Sequence, residues 1–397
     1  MKGVMRTYAR GFCTRVRAGV STLWRCVTSV PMRTALLSLV SVLVVSACGS
    51  VPLTAVPPRA STSGRFIYAA GDDGAIRVYD MDHGHRLVNT IPVFSCCADV
   101  RGATAAAPTH RFYVMYNRDR QGHLAAVDLL TDRVLWDKVL HRPGVDRGNI
   151  TPDGKTIYLP TWESDPDSPY ELVVDALTGT VVGKVTVPTH SHDTIVSLDG
   201  KRVFMETKSA TGAMHVAATA TNHVVDTISG YCCSRVLGPF SINGADTLVV
   251  NDVYGYAGFQ IASITTGRVI ASVPFVGTNG STGHGIAWTP DEREVWVDDG
   301  GNPFVHIYEM TITPVRQTHL VRVSNPSPHW ITFSIDGRFA YVAGRKGTGD
   351  PTDVIHTSTY QRIGTLSPSE DLLEVDFSHH VVTQVGNQFG VGRVNRP

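Results

Sequence analysis

The chain is poor in charge, in aromatic side chains and in long apolar runs. Of its 397 residues, 18% are charged and 8% aromatic, and the longest apolar run, residues 35–47 (ALLSLVSVLVVSA), is too short for a stable membrane-spanning helix. Beyond Gly64 no apolar stripe of period 3.6 is sustained, which excludes a helical bundle. HExxH, CxxC, the Gly-x-Ser-x-Gly elbow and a phosphate-cradling glycine loop are all missing, which argues against the zinc sites, serine hydrolases and nucleotide enzymes they mark. There is no basic excess either, with 35 Lys and Arg against 35 Asp and Glu. Seven of those bases lie in residues 1–47, where there is no acid, so the remainder carries 28 bases against 35 acids. Such a body lacks the electrostatic footprint of a nucleic-acid binder. What is present, 42% hydrophobic residues with 37 Gly and 22 Pro, fits a globular chain.

Residues 1–47 read as a signal peptide, with the true start at Met1 or at Met32. Val45-Ser46-Ala47-Cys48 resembles the bacterial lipobox, which implies lipidation of Cys48 and a membrane-anchored protein on the extracytoplasmic side of the cell envelope; a non-lipidated secretory signal and an uncleaved anchor are the alternatives. Residues 48–63 are rich in Pro, Ser and Thr and suit a tether.

From residue 64 to 397 short β-branched and aromatic runs alternate with Gly, Asp and Asn turns. Residues 147–187 show the unit most fully: an inner strand, the turn TPDG, strands KTIYLP and ELVVD, a Thr-Gly turn, and VVGKVTV. The residues that open successive inner strands are Arg101, Arg147, His192, Arg235, His284, His329 and Glu374, at spacings of 46, 45, 43, 49, 45 and 45. This regularity predicts an all-β fold, a seven-bladed β-propeller of four-stranded blades. The first blade, at 66–93, lacks an inner strand, and LLEVDF (372–377) is placed to supply it and close the ring.

ITPDGKTIYLP, VVDALTGTVVGKV, TIVSLDGKRVF and GIAWTPDEREVWV resemble the bacterial seven-bladed YVTN-repeat β-propeller family over residues 64–377. APTHRF and VAATATN depart from its turn motifs in the second and fourth units. The resemblance implies the fold and leaves the activity open, because relatives include binding modules, lactonases, lyases and quinone- or metal-bearing oxidoreductases.

The seven opening residues are expected to converge on one rim of the channel, flanked by Asp99, Asp146, His190 and Asp193. Arg101, Arg147 and Arg235 offer guanidinium forks for a carboxylate or phosphate. His192, His284, His329 and Glu374 offer acid–base groups, or ligands for a divalent metal; no other cofactor is predicted. Solvated polar residues at strand starts are the bland alternative. The leading expectation is a propeller that binds a small anionic molecule, or an acidic segment of a protein partner, at that mouth. The alternative is a lactonase or lyase using His284, His329 and Glu374.

Beyond the leader the cysteines form two adjacent pairs, Cys96-Cys97 and Cys232-Cys233. In an oxidising compartment four free thiols are not expected, but bridges within each pair and bridges between the two loops both remain open.

Overall fold

In the computed structural model, residues 63–161, 169–187, 191–206, 208, 212–345, 347 and 349–394 are described. The signal peptide, Cys48, His190 and all of the tether except Ser63 lie outside them. The described residues are built of antiparallel strands in groups of four. The first group begins with β1 (Gly64–Ala70), β2 (Ala75–Asp80) and β3 (Arg86–Pro92). Complete groups follow: β4 (Asp99–Ala106), β5 (Arg111–Arg118), β6 (Gln121–Asp128) and β7 (Arg133–His141); then β8 (Asn149–Ile150), β9 (Thr156–Pro160), β10 (Tyr170–Asp175) and β11 (Thr180–Thr186). Next come β12 (Thr194–Val196), β13 (Arg202–Met205), β14 (Ala213–Ala218) and β15 (His223–Ser229), with β16 (Leu237–Ile242), β17 (Leu248–Val253), β18 (Gly258–Ser263) and β19 (Arg268–Pro274). A lone parallel bridge from Ser229 to Arg268 ties these last two groups into one eight-stranded sheet. β20 (Ile286–Trp288), β21 (Glu294–Asp298), β22 (Phe304–Glu309) and β23 (Arg316–Arg322) precede β24 (Pro328–Phe333), β25 (Phe339–Gly344), β26 (Thr352–His356) and β27 (Gln361–Leu366).

Two recurring turns explain the repeat. Between first and second strands a hydroxyl accepts the N–H five residues on, as Thr151 does from Thr156, Ser197 from Arg202, Thr289 from Glu294 and Ser334 from Phe339. The Asp two residues after that hydroxyl accepts its O–H, and Gly154, Gly200 and Gly337 take the left-handed backbone the turn needs. Between third and fourth strands Asp175 accepts the N–H groups of Leu177 and Thr178 and the Thr178 hydroxyl, as Asp128 does for Leu130 and Thr131. Where the sequence departs from the motif, at APTHRF, a 3-10 turn over Ala107–Thr109 stands in for it. Second and third strands are buried on both faces and read as near-continuous apolar runs, whereas fourth strands such as β11 and β15 are largely exposed.

β28 (Asp371–Ser378) pairs antiparallel with β1 across seven residues, supplying the strand the first group lacks, and β29 (Val381–Val385) adds a fifth strand beyond it. At six of the seven steps first strands of successive groups are neighbours: β28 beside β4, β4 beside β8, β8 beside β12, then β16 beside β20, β20 beside β24 and β24 beside β28. After β29 the chain threads among them. Gln388 Oε1 accepts from Ala103, the Gln388 carbonyl from Trp330 Nε1, and the Gly390 carbonyl from Trp288 N and Ser241 Oγ, while Phe389 and Val391 are buried. The C-terminal segment is therefore part of the core between the sheets.

Candidate functional site

Counting five residues back from the turn hydroxyls Ser197, Thr289 and Ser334 lands on His192, His284 and His329, so the turn register brings the three rings to equivalent places at the starts of their first strands. Arg101 and Arg147 join them from the neighbouring groups. Arg101 donates through Nε and Nη2 to Asp146 Oδ1 at 2.8 and 2.6 Å, and Asp146 Oδ2 lies 3.0 Å from His192 Nδ1. Arg147 Nη1 is 3.2 Å from His192 Nε2, and its Nη2 donates to Glu370 Oε2 at 2.6 Å. The other oxygen of Glu370 is 2.8 Å from His329 Nδ1. The His329 and His284 rings stack at 3.6 Å, His284 Nδ1 reaches the His329 carbonyl at 3.1 Å, and Asp298 accepts the backbone N–H groups of His284 and Gly285.

Two expectations are corrected by this geometry. Glu374 is not in the cluster: from the middle of β28 it accepts from Arg65 Nε and Ile335 N, and Glu370 occupies the place expected for it. Arg235 is exposed with left-handed backbone two residues before β16, so it lies in the loop ahead of the strand. In that group Asn243 replaces the turn hydroxyl and accepts from Leu248 N, so the count of five lands on Gly238, which has no side chain to offer. Arg147 is also deeper than a rim residue. Its side chain is 1% exposed, with Asp193 and Asp371 at 3.8 and 3.6 Å and the Trp330 ring at 4.2 Å.

The cluster is layered. Arg101, Lys208 and His329 keep 13, 11 and 18% of their side chains exposed, whereas the carboxylates that hold them, Asp146, Glu206 and Glu370, keep 0, 0 and 1%. These three donors are each backed by a buried acceptor, and Arg101 also faces Asp99, 3.7 Å away with 46% of its side chain exposed. Burial, reinforced by Lys208, Arg101 and Arg147, pushes His192 well below the usual histidine range, so its ring is neutral. A neutral ring meets the Asp146 and Arg147 contacts when Nδ1–H donates to Asp146 and Nε2 accepts from Arg147; Arg101 Nη2, 3.2 Å from Nδ1, then donates to Asp146 alone. Burial likewise holds His284 far down. It works against the Arg147 charge too, but Asp371, Asp193 and Glu370 more than offset it. Burial lifts Asp193 to about 7 and drives Asp252 and Asp298 well above the carboxylate range. A recess of about 390 Å³ reaches the cluster at Glu370 and Asp371, with Asp72, Asp73, Asp350, Arg77 and Arg345 on its walls, so acids outnumber bases along it.

Sequence reasoning missed Glu206, Lys208, Asp252, Asp298, Trp330 and Glu370, which no spaced motif marks. Cysteine bonding is settled within each pair: Cys96 bridges Cys97 and Cys232 bridges Cys233, so no bridge spans the two loops. Among the described residues no group of three or more His, Cys, Asp or Glu side chains is arranged to hold a metal ion.

Fold and site together define an all-β, propeller-like protein with a buried ionic cluster beneath accessible donors. No known family model matches the chain. No curated protein matches it either. Among solved structures it is similar to a chain described as Kuenenia stuttgartiensis hydrazine synthase, at 15% identity and a TM-score of 0.58, over 72% of this chain and 94% of that one. At that identity the likeness concerns the fold alone.

Proposed function

We propose that the chain is a seven-bladed β-propeller of the YVTN-repeat kind, exported and anchored through a lipid on Cys48, that binds a small anionic ligand or an acidic partner segment over the cluster. The observation that carries the ligand class is the layering, because Arg101, Lys208 and His329 are partly accessible while Asp146, Glu206 and Glu370 are sealed beneath them; Asp99, beside Arg101, is an exposed acid at this surface. Buried carboxylates fix these donors in place, which lowers the ordering cost of binding. Four-strand grouping, the β1–β28 pairing and the succession of neighbouring first strands support seven blades. Melting curves recorded with small carboxylates, phosphate and their neutral analogues at fixed ionic strength test the reading. Anions should raise the midpoint and neutral analogues should not. A panel without any anion-dependent shift would remove it.

A second reading has its own support. His329 is held through Nδ1 by Glu370, which leaves Nε2 to face a ligand, the arrangement of a general base oriented by a carboxylate. In that lactonase- or lyase-like reading, His329 with His284 acts on the substrate and Glu370, not Glu374, is the positioning acid.

A further inference from the structure

We infer that the Cys96–Cys97 bridge is a thiol–disulfide exchange site. Closing a ring between neighbouring residues removes almost no chain entropy from the unfolded state, so such a bridge contributes little as a staple. Yet this chain carries two, both in loops that lead into a first strand, Cys96–Cys97 ahead of β4 and Cys232–Cys233 ahead of β16. Their surroundings differ. Cys96 and Cys97 are both exposed, and Cys97 lines an open recess of about 480 Å³ with Asp72, Asp99, Asn117 and Arg118. In the second pair Cys233 is exposed too, but Cys232 is half-buried and its N–H is bonded to Gln260 Oε1. Asp72 accepts from Ala98 N and Val100 N, just beyond Cys97, and also lines the recess that reaches Glu370. The bridge therefore sits where an incoming thiol has access, with its loop pinned to a residue shared by both recesses.

Exchange needs an approachable sulfur and a leaving thiolate. A dithiol reductant attacks one sulfur of the pair; the Cys96–Cys97 bond breaks as a mixed disulfide forms. The reductant's second thiolate then attacks that mixed disulfide. In sum the dithiol gives up two electrons and two protons and becomes a disulfide, and Cys96 and Cys97 become thiols. This inference does not rest on the proposed ligand.

The test titrates the native full-length protein with dithiothreitol, alkylates, and maps each cysteine by mass spectrometry. Cys96 and Cys97 should become alkylated at a dithiothreitol concentration at least ~10-fold below that needed for Cys232 and Cys233, and should re-form the bridge when the reductant is removed. Equal or reversed order, or alkylation of Cys96 and Cys97 only after denaturant is added, overturns the inference. The double variant Cys96→Ser/Cys97→Ser gives an independent check: it should melt within about 2 °C of the parent, and a fall of about 10 °C or more would make the bridge a staple instead.

Discussion

Arg147 and Glu370 lie 223 residues apart in the chain, and the Nη2 of one donates to the Oε2 of the other at 2.6 Å, both side chains 1% exposed. Arg147 also faces Asp193, Asp371 and the Trp330 ring, so it is a buried cation about which acids from β28 and from just before β12 and β28 are arranged. Removing it would leave those carboxylates without compensation in a dry setting. Arg147→Ala should therefore lower unfolding stability by about 3–5 kcal/mol, as for other broken buried pairs. Urea unfolding measures this, and a change below about 1 kcal/mol would show that the cluster relaxes without its cation.

The C-terminal segment gives a second expectation. Deleting residues 386–397 keeps β28 and β29 but strips Phe389 and Val391 from the core and leaves Trp330 Nε1 and Ala103 N without their acceptors on Gln388. At roughly 1.5–3 kcal/mol for each buried side chain, the loss should exceed ~3 kcal/mol. An unchanged urea midpoint for the truncated protein would place the segment outside the cooperative core.

These expectations depend on what the sequence discloses and what it hides. The strand order and both turn types were legible because they are local: a hydroxyl, an Asp and a Gly at fixed offsets dictate the Thr151 and Asp175 turns wherever they recur. The convergence of His192, His284 and His329 followed from the same offsets. Arg235 and Glu374 failed for a related reason. The hydrogen-bonded turn, not even spacing, sets the register, and in Arg235's group Asn243 takes the hydroxyl's place. In the last hairpin the turn is made by His379 and His380, both left-handed, and β28 begins at Asp371, next to Glu370. Burial of Arg147 was not legible, since its acids come from distant parts of the chain. A hint was present in Gly102 and Gly148: a Cβ on the first would lie 3.2 Å from the Arg147 Cα, and one on the second 2.5 Å from the Tyr158 carbonyl, so backbones pass too close here for an exposed rim.

Buried carboxyls set the pH dependence of stability. Burial lifts Glu171 to about 7 despite the Ser191 and Thr194 hydroxyls, and Asp193 to about 7; burial and then Glu374 lift Asp376 to about 8. Each folded value exceeds the unfolded value of about 4, so the native state holds extra protons and stability falls as pH rises through 7 and 8. His192 and His284 are shifted down, so their contribution is lost only below about pH 6.5 and is constant above it. Between about pH 6.5 and 8.5 the carboxyls act alone, and the melting midpoint should fall. Glu171→Gln should flatten part of that slope, since an amide has no proton to lose. A midpoint that climbs across the window would contradict the assignment.

The ligand reading turns on Arg101, which unlike Arg147 is partly accessible and keeps its fork on Asp146. Its loss costs the fold less and the site more. Arg101→Ala should weaken anion binding about 10- to 100-fold, the equivalent of losing a charged hydrogen bond of roughly 1.5–3 kcal/mol, while the protein still melts cooperatively. Arg101→Lys should recover only part of the affinity, because an ammonium keeps the charge without the fork. Titration calorimetry with an anion that shifts the melt reads both variants. The enzyme reading makes a different demand: the native protein should turn over a small lactone, and His329→Asn, which can still donate to Glu370 but cannot carry a proton, should lower turnover by about 10²–10⁴. If turnover is found and falls with His329→Asn while Arg101→Ala leaves anion affinity unchanged, the donors serve catalysis and binding is only its first step.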